Sequence, residues 1–345
     1  MPVSSALDIV VTHRHRQARR RALLVALLLT VVVLAAVLAL TVGQSYVPVT
    51  DVVRVMLGEE VPGAAFTVGV LRLPRTILSI LAGASFGLGG VAFQIMLRNP
   101  LASPDIIGIS SGASAAAVFA IVVLSLSGPI VSLVAVVAGL GVAILIYTLS
   151  FRNGEGGTRL ILVGIGVSAM LQSFVAYQLL HAPAWSRQEA LRWLTGSLNG
   201  AQLDQAFPLL LVLIMFGGLL LSRSRDLETL RLGDDTASAL GTNVAATRIL
   251  VIIAAVSMIA VATAVTGPIA FVAFLSGPIA ARIVGANGSL LIPSALVGAA
   301  LVIVADFCGQ FLLPSRYPVG VITGALGAPY LIYLIVRANQ TGRSL

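Results

Sequence analysis

The sequence has no lysine: all 21 of its basic residues are arginine. It has a single cysteine, Cys308, and only 10% of its 345 residues are charged, against roughly 25% in an average soluble domain. Each shortage excludes something. Without lysine there is no P-loop amine for the phosphates of ATP, no Schiff-base lysine and no lysine general base, so any ATP used must be hydrolysed by another chain. One cysteine excludes an intrachain disulfide. Of the three histidines, His13 and His15 lie in a basic run and His181 has no partner at ligand spacing, so no metal site is expected. The scarcity of charge excludes an ordinary water-soluble enzyme.

What is present is apolar, with 58% hydrophobic residues. Spans of about 20 residues, bounded by Gly, Pro and charge, fall at 22–42, 73–97, 104–124, 129–150, 159–181, 204–221, 245–266, 268–284, 290–309 and 318–337. The expectation is an all-α polytopic membrane protein of about ten transmembrane helices occupying 22–337, between a basic cytoplasmic tail, 1–21, and a short cytoplasmic tail, 338–345. The net charge of +8 is read as positive-inside bias, with no nucleic acid implied. With both termini inside, cytoplasmic segments hold fifteen arginines and the outside six, as the rule requires.

Three connections carry more than a turn. Outside, 44–71 holds Pro48, Pro62 and the pair Glu59 and Glu60, and 182–203 holds an amphipathic stretch, Gln188 to Leu198, with Trp185 and Trp193 as interface anchors. Inside, 222–244 is acidic. Asp234 is placed to cap a short helix with Ala237 and Leu240 three apart and Gly241 just past its end. Such a helix docks a soluble partner or rests on lipid headgroups, and its acidic start disfavours headgroups.

At the outer start of the second span, Arg72 and Arg75 stand three apart on one face, suited either to bidentate carboxylate recognition or to snorkelling. Ser103, Pro104 and Asp105 form a helix start. The small-residue run from Ser110 to Ala117, and the pairs Gly83/Gly87 and Gly320/Gly324, predict close helix crossings. Gln94, Ser168, Gln172, Ser173, Gln178 and Asp306 are polar residues within spans, which face the bundle interior or a wet cavity. Asp306, near an outer end, is a hydrated interfacial carboxylate or a pathway residue.

Arg-Leu-Pro-Arg at 72–75, Ala82-Gly83-Ala84, Gly87 to Gly90, Gln94, Asn99 to Pro104, Gly108 to Gly112, Asp306, Pro318 to Val321 and Gly327-Ala328-Pro329 together resemble the FecCD family. These are permeases of ABC importers for ferric siderophores, vitamin B12 and haem. The resemblance implies a vitamin B12 importer-like permease fold in the bacterial cytoplasmic (inner) membrane. It also implies a second permease, identical or related, two ATPase subunits that hold ATP and Mg, and an extracytoplasmic binding protein. No cofactor is expected on this chain, which moves its substrate by alternating access and has no catalytic residue.

Carried over by position, Arg72 and Arg75 match family arginines that pair with the binding protein. Leu230, Leu232, Gly233, Asp234, Asp235, Ala237, Leu240 and Gly241 match the coupling helices set in the ATPases. Gln94, Ser168 and Gln172 are the translocation-path candidates. Many members have Pro-His where this chain has Gly277-Pro278, and Arg282 is displaced by one residue. A basic docking position of the vitamin B12 member falls at Gly309, for which Arg316 is the substitute. These departures weaken a vitamin B12 assignment, and the ending Gly327-Ala328-Pro329-Tyr330-Leu331-Ile332-Tyr333-Leu334 is more similar to ferric-siderophore permeases, with a vitamin B12 or haem permease as the alternative. The competing classes are a self-sufficient ten-span secondary transporter, which would need embedded coupling charges, and an ATPase-anchored scaffold that transports nothing.

Overall fold

The computed structural model describes residues 3–340 except 104–107, 151–156 and 286–287. The chain enters with α1 (Val3–Thr41), α2 (Val49–Met56) and a π-helical stretch, Ala65–Arg72, that runs directly into α3 (Leu73–Met96). It continues through α4 (Ile109–Val122), α5 (Pro129–Ser150), α6 (Gly157–His181) and α7 (Ala184–Leu194). One interrupted span then consists of α8 (Ala206–Val212), a π turn and α9 (Gly218–Ser222), and α10 (Ser224–Leu230) and α11 (Asp234–Ala239) make an elbow. The last four helices are α12 (Val244–Thr266), α13 (Val272–Val284), α14 (Leu291–Phe311) and α15 (Val319–Gln340). No strand occurs among the described residues.

Among the described residues seven helices are long and apolar enough to cross a membrane, and three shorter apolar ones, Ile109–Val122, Val272–Val284 and Val319–Leu334, occupy the remaining predicted positions. The second span begins eight residues before the predicted Leu73. Pro74 has no N–H for the carbonyl of Val70, and the backbone ahead of it widens to π spacing instead of ending. The third helix starts later than predicted, at Ile109 behind Gly108 (φ 70°). Pro104 and Asp105 of the predicted cap, and Arg152 and Arg343 of the charge count, lie outside the described residues.

The centre of the fold is α3, whose length is buried from Leu78 almost without interruption to Met96. It has room for no large side chain where it meets α14. A methyl on Gly83 or Gly87 would strike the backbone at Gly298 or Ser294, and one on Gly298 would strike Gly83. The backbones therefore touch along a glycine seam, the packing mode that substitutes for hydrophobic driving force between helices in lipid. The predicted Gly320/Gly324 crossing is corrected. Gly320 abuts Thr195 in the connection before α8, and Gly324 faces open space.

One end of the bundle is interlocked by backbone bonds. Ser197 N–H donates to Thr266 O at 2.7 Å and Gly320 N–H to Gly196 O at 3.0 Å, joining the connection before α8 to the end of α12 and the start of α15. At the opposite end lie the elbow and Gly288, on which the Arg21 guanidinium of α1 packs. By contrast α6 is broadly exposed, presenting Leu162, Ile165, Met170, Tyr177 and Leu180.

Candidate docking, path and coupling sites

At the interlocked end the seam between α3 and α14 finishes in an ion pair. Arg75 lies two turns beyond Gly83, and Asp306 two turns beyond Gly298. The Arg75 guanidinium donates from Nε to Asp306 Oδ2 at 2.6 Å and from Nη2 to Oδ1 at 2.7 Å. Its Nη1 reaches Asn199 Oδ1 at 2.7 Å. Turning the Gln310 amide so that its oxygen faces Arg75 adds a fourth acceptor. The two charged side chains are only 17% and 9% exposed, so the pair is desolvated and bidentate, the geometry in which a carboxylate best offsets arginine's lost hydration.

Arg72 has a different task. Its Nη1 donates to Leu40 O at 2.9 Å and Thr41 O at 3.0 Å, and its Nη2 to Ser45 O at 2.6 Å. A cation on the last carbonyls of α1 satisfies acceptors the helix leaves open and matches the negative end of its dipole. The expectation that Arg72 and Arg75 reach outward together from one face is corrected. The π-helical turn and the two sets of acceptors send them to different places within the chain. Both border a cavity of about 370 Å³, with Arg316 at its rim. Arg316 is exposed and forms no ion pair among the described residues.

The elbow differs from the predicted single helix. α10 precedes α11, and the side chain of Asp234 caps nothing: the residue before α11 is Gly233 at φ 107°. The Asp234 carboxylate instead accepts from Arg248 Nη2 of α12 at 2.7 Å and faces Arg98 Nη2 at 3.3 Å. Thr229 and Thr242 hydroxyls meet at 2.7 Å and close the elbow's base. Leu227, Leu230 and Ala237 are buried, which leaves Leu232 and Leu240 as the exposed apolar knuckles, at 61% and 62%. Ala237 thus belongs to the elbow's footing and not, with Leu240, to one outer face. Asp235 and Gly241 are exposed beside Leu240.

Arg98 reaches Asp234 at a conformational expense. It follows the end of α3 at φ 52°, in a turn where its own N–H bonds Ile95 O and the next N–H, of Asn99, bonds Gln94 O. This position normally takes glycine. Sequence reasoning missed Arg98 and Arg248 as partners of Asp234, and Asn199 and Gln310 as partners of Arg75. The available signal was the carboxylate itself: Asp306 inside an apolar span demands a partner.

The three path candidates do not converge. Ser168 and Gln172 line an open groove of about 600 Å³ with Ser110, Ser111, Ser114 and the rings of Phe271 and Phe274. Gln94 is outside it, 5% exposed, and its Nε2 donates to Phe274 O at 2.9 Å. It borders a second cavity, of about 320 Å³, with Arg98, Arg231 and Pro278 on the elbow side. No cluster of metal-ligating side chains occurs among the described residues.

The ten apolar helices among the described residues, packed around a glycine-seamed core with a charged rim at one end and an apolar-tipped elbow at the other, are those of a multi-pass membrane protein. Residues 28–337 match the model of the FecCD transport family, and the chain belongs to that family. It is 38% identical over 89% of its length to the ferric enterobactin transport system permease protein FepG of Escherichia coli, covering 93% of that protein. It is 37% identical to the achromobactin transport system permease protein CbrC of Dickeya dadantii, covering 88% of each chain. The fold matches a protein described as a metal-chelate type ABC transporter in an inward-facing conformation, with a TM-score of 0.80 and 27% identity over 92% of this chain and 99% of the other. The family is one of ABC permease subunits, which carry no ATPase site of their own.

Proposed function

We propose that this chain is the membrane permease of an ATP-driven importer of ferric siderophores. The observation that carries the reading is the near full-length similarity to permeases named for ferric enterobactin and achromobactin. The interlocked, Arg75-bearing end faces the outside and the elbow faces the cytoplasm, because the arginines of the N-terminal segment, Arg21 included, stand at the elbow side. Two copies, or this chain and a related one, pair across the exposed faces.

A soluble binding protein docks on the outer rim. Arg316 is the cation free to meet its carboxylates, while Arg72 and Arg75 shape the floor beneath. The elbow seats in a partner ATPase, where Leu232 and Leu240 fill an apolar cleft and Asp235 and Gly241 border it. The buried footing at Leu230 and Ala237 passes the ATPase's movement to α12 and α3 through Asp234. ATP and Mg reside on that partner. The groove carrying Ser168 and Gln172 has hydroxyls and an amide to replace water around a polar chelate, and no fixed charge among its described lining residues.

The test is uptake of radiolabelled iron, offered as ferric enterobactin, ferric citrate and a ferric hydroxamate, by cells lacking this chain and the same cells with it restored. Restored uptake of one chelate, lost again when residues 234–240 are deleted, is the expected outcome. Restored uptake of labelled vitamin B12 and of no iron chelate would overturn the substrate class.

A further inference from the structure

α13 contains a proline in its middle. Pro278 has no N–H, so the carbonyl of Phe274, four residues earlier, loses its helical partner. A bare carbonyl in a buried helix is strongly unfavourable, and here it is satisfied from another helix: Gln94 of α3 donates to it at 2.9 Å. The neighbouring residue makes this possible. A methyl at Gly277 would sit on Gln94 Oε1, so only glycine admits the amide. Gln94, Gly277 and Pro278 are one device, a break in α13 and the clasp that closes it.

The clasped residue also forms a wall of the groove. The ring of Phe274 stacks edge-on to Phe271 at 6.3 Å and 82°, and both residues line the groove together with Ser168 and Gln172. Phe271 itself is held at φ 64°, a left-handed conformation that an aromatic residue rarely adopts. Its ring lies on Gly327 of α15. A strained aromatic residue, a proline gap and an inter-helix clasp therefore fall within eight residues of one another on the groove's edge.

We propose that Gln94 is a positioning residue for transport: by holding the carbonyl that Pro278 leaves bare, it fixes the Phe271–Phe274 wall of the groove, and its release is the hinge through which that wall moves. Gln94 thus acts from outside the path on aromatic residues that border it. The proposal rests on the transport reading for its purpose, while the clasp stands on geometry alone.

The experiment is a cycle built on the proline. Gln94→Met keeps the volume and removes the donor; Pro278→Ala gives Phe274 a backbone partner and makes the donor unnecessary. Gln94→Met should lower uptake of labelled ferric enterobactin about tenfold, the scale of one bare buried carbonyl. In the Pro278→Ala background the same change should have no further effect. Gly277→Ala, which displaces the amide sterically, should reproduce Gln94→Met and not add to it.

A second readout does not need transport. With Cys308→Ser and a reporter Leu331→Cys on the groove, Gln94→Met should change the maleimide labelling rate only when Pro278 is present. Equal effects of Gln94→Met in both backgrounds, on uptake or on labelling, would overturn the clasp. Absence of uptake of every chelate by the unaltered chain, with the labelling cycle as expected, would overturn the transport reading and leave the clasp standing.

Discussion

Both ends of α3 hold an arginine bound to a carboxylate from elsewhere in the chain, and the two ties are built in opposite ways. At the interlocked end, the outer one in the proposed orientation, one arginine, Arg75, collects acceptors from α14 and from the connection before α8, with side chains 17% and 9% exposed. At the elbow end, the cytoplasmic one in the proposed orientation, one carboxylate, Asp234, collects two arginines, Arg98 and Arg248, and is itself 40% exposed. Buried charges interact strongly and are severely penalised when one is removed; half-exposed ones are screened and contribute little. The outer tie is therefore a fixture of the fold, and the inner one a contact that an ATPase could rearrange at small expense.

The comparison fails most visibly if the outer tie is dispensable. Asp306→Ala leaves the Arg75 guanidinium without its bidentate partner, a loss of about 3–5 kcal/mol for a buried pair. The expected result is a steep fall in folded permease extracted from membranes and in its melting temperature in detergent. Exchanging the two residues, Arg75→Asp with Asp306→Arg, should recover part of that loss. If Asp306→Ala melts like the unaltered protein, the pair is not structural and Arg75 is available for docking after all.

Next in size is the seam that continues beneath this tie. Gly298→Val puts an isopropyl group against the backbone of α3, an overpacking of about 1–3 kcal/mol. Because Gly298 and Asp306 share one helix contact, their effects should not add. A double variant as unstable as the sum of the singles would show that tie and seam are independent, and melting temperatures of the four proteins decide it.

These positions also show what was legible in the sequence. Gly83 and Gly87 were readable because α-helical geometry puts residues four apart on one face, and the end of the helix at 234–239 because Gly241 stops it locally, whereas the capping expected of Asp234 is not what the structure holds. Gly324 obeyed the same spacing and faces open space, since spacing states which residues share a face and not what lies opposite. The directions of Arg72, Arg75 and Asp234 were illegible for the same reason: a long side chain finds its partner across 14 to 231 residues of sequence. The bond Gln94 makes was illegible because a polar residue in an apolar span looks the same whether it lines a path or satisfies another helix's carbonyl. Only Pro278, 184 positions further on, distinguishes the two.

At the inner end the effects should be smaller and should appear in coupling more than in folding. Asp234→Ala releases two partly exposed arginines, about 0–1 kcal/mol of stability, and should leave the melting temperature nearly unchanged. Stimulation of the partner ATPase by the loaded binding protein should fall, because the elbow loses its charged connection to both α3 and α12. Raising the salt concentration should reproduce part of this in the unaltered protein, since exposed pairs are screened. No change in stimulation would mean that Thr229, Thr242 and the buried footing suffice for coupling.

The smallest effect isolates the backbone term from the charge term at Arg98. An L-residue in the left-handed region is disfavoured by about 1–2 kcal/mol relative to glycine, and Arg98 accepts this at φ 52° while its guanidinium stays 3.3 Å from Asp234. Arg98→Gly relieves the strain and loses the ion pair, two terms of similar size and opposite sign, so stability should change little. Arg98→Ala keeps the strain and loses the pair, so it should be the less stable of the two. If alanine equals or exceeds glycine in melting temperature, the left-handed backbone is not costly here and the arginine is held by helix-end geometry alone. If glycine proves the more stable and yet weakens ATPase coupling, the chain keeps a strained residue at this turn for the contact its side chain makes with the elbow.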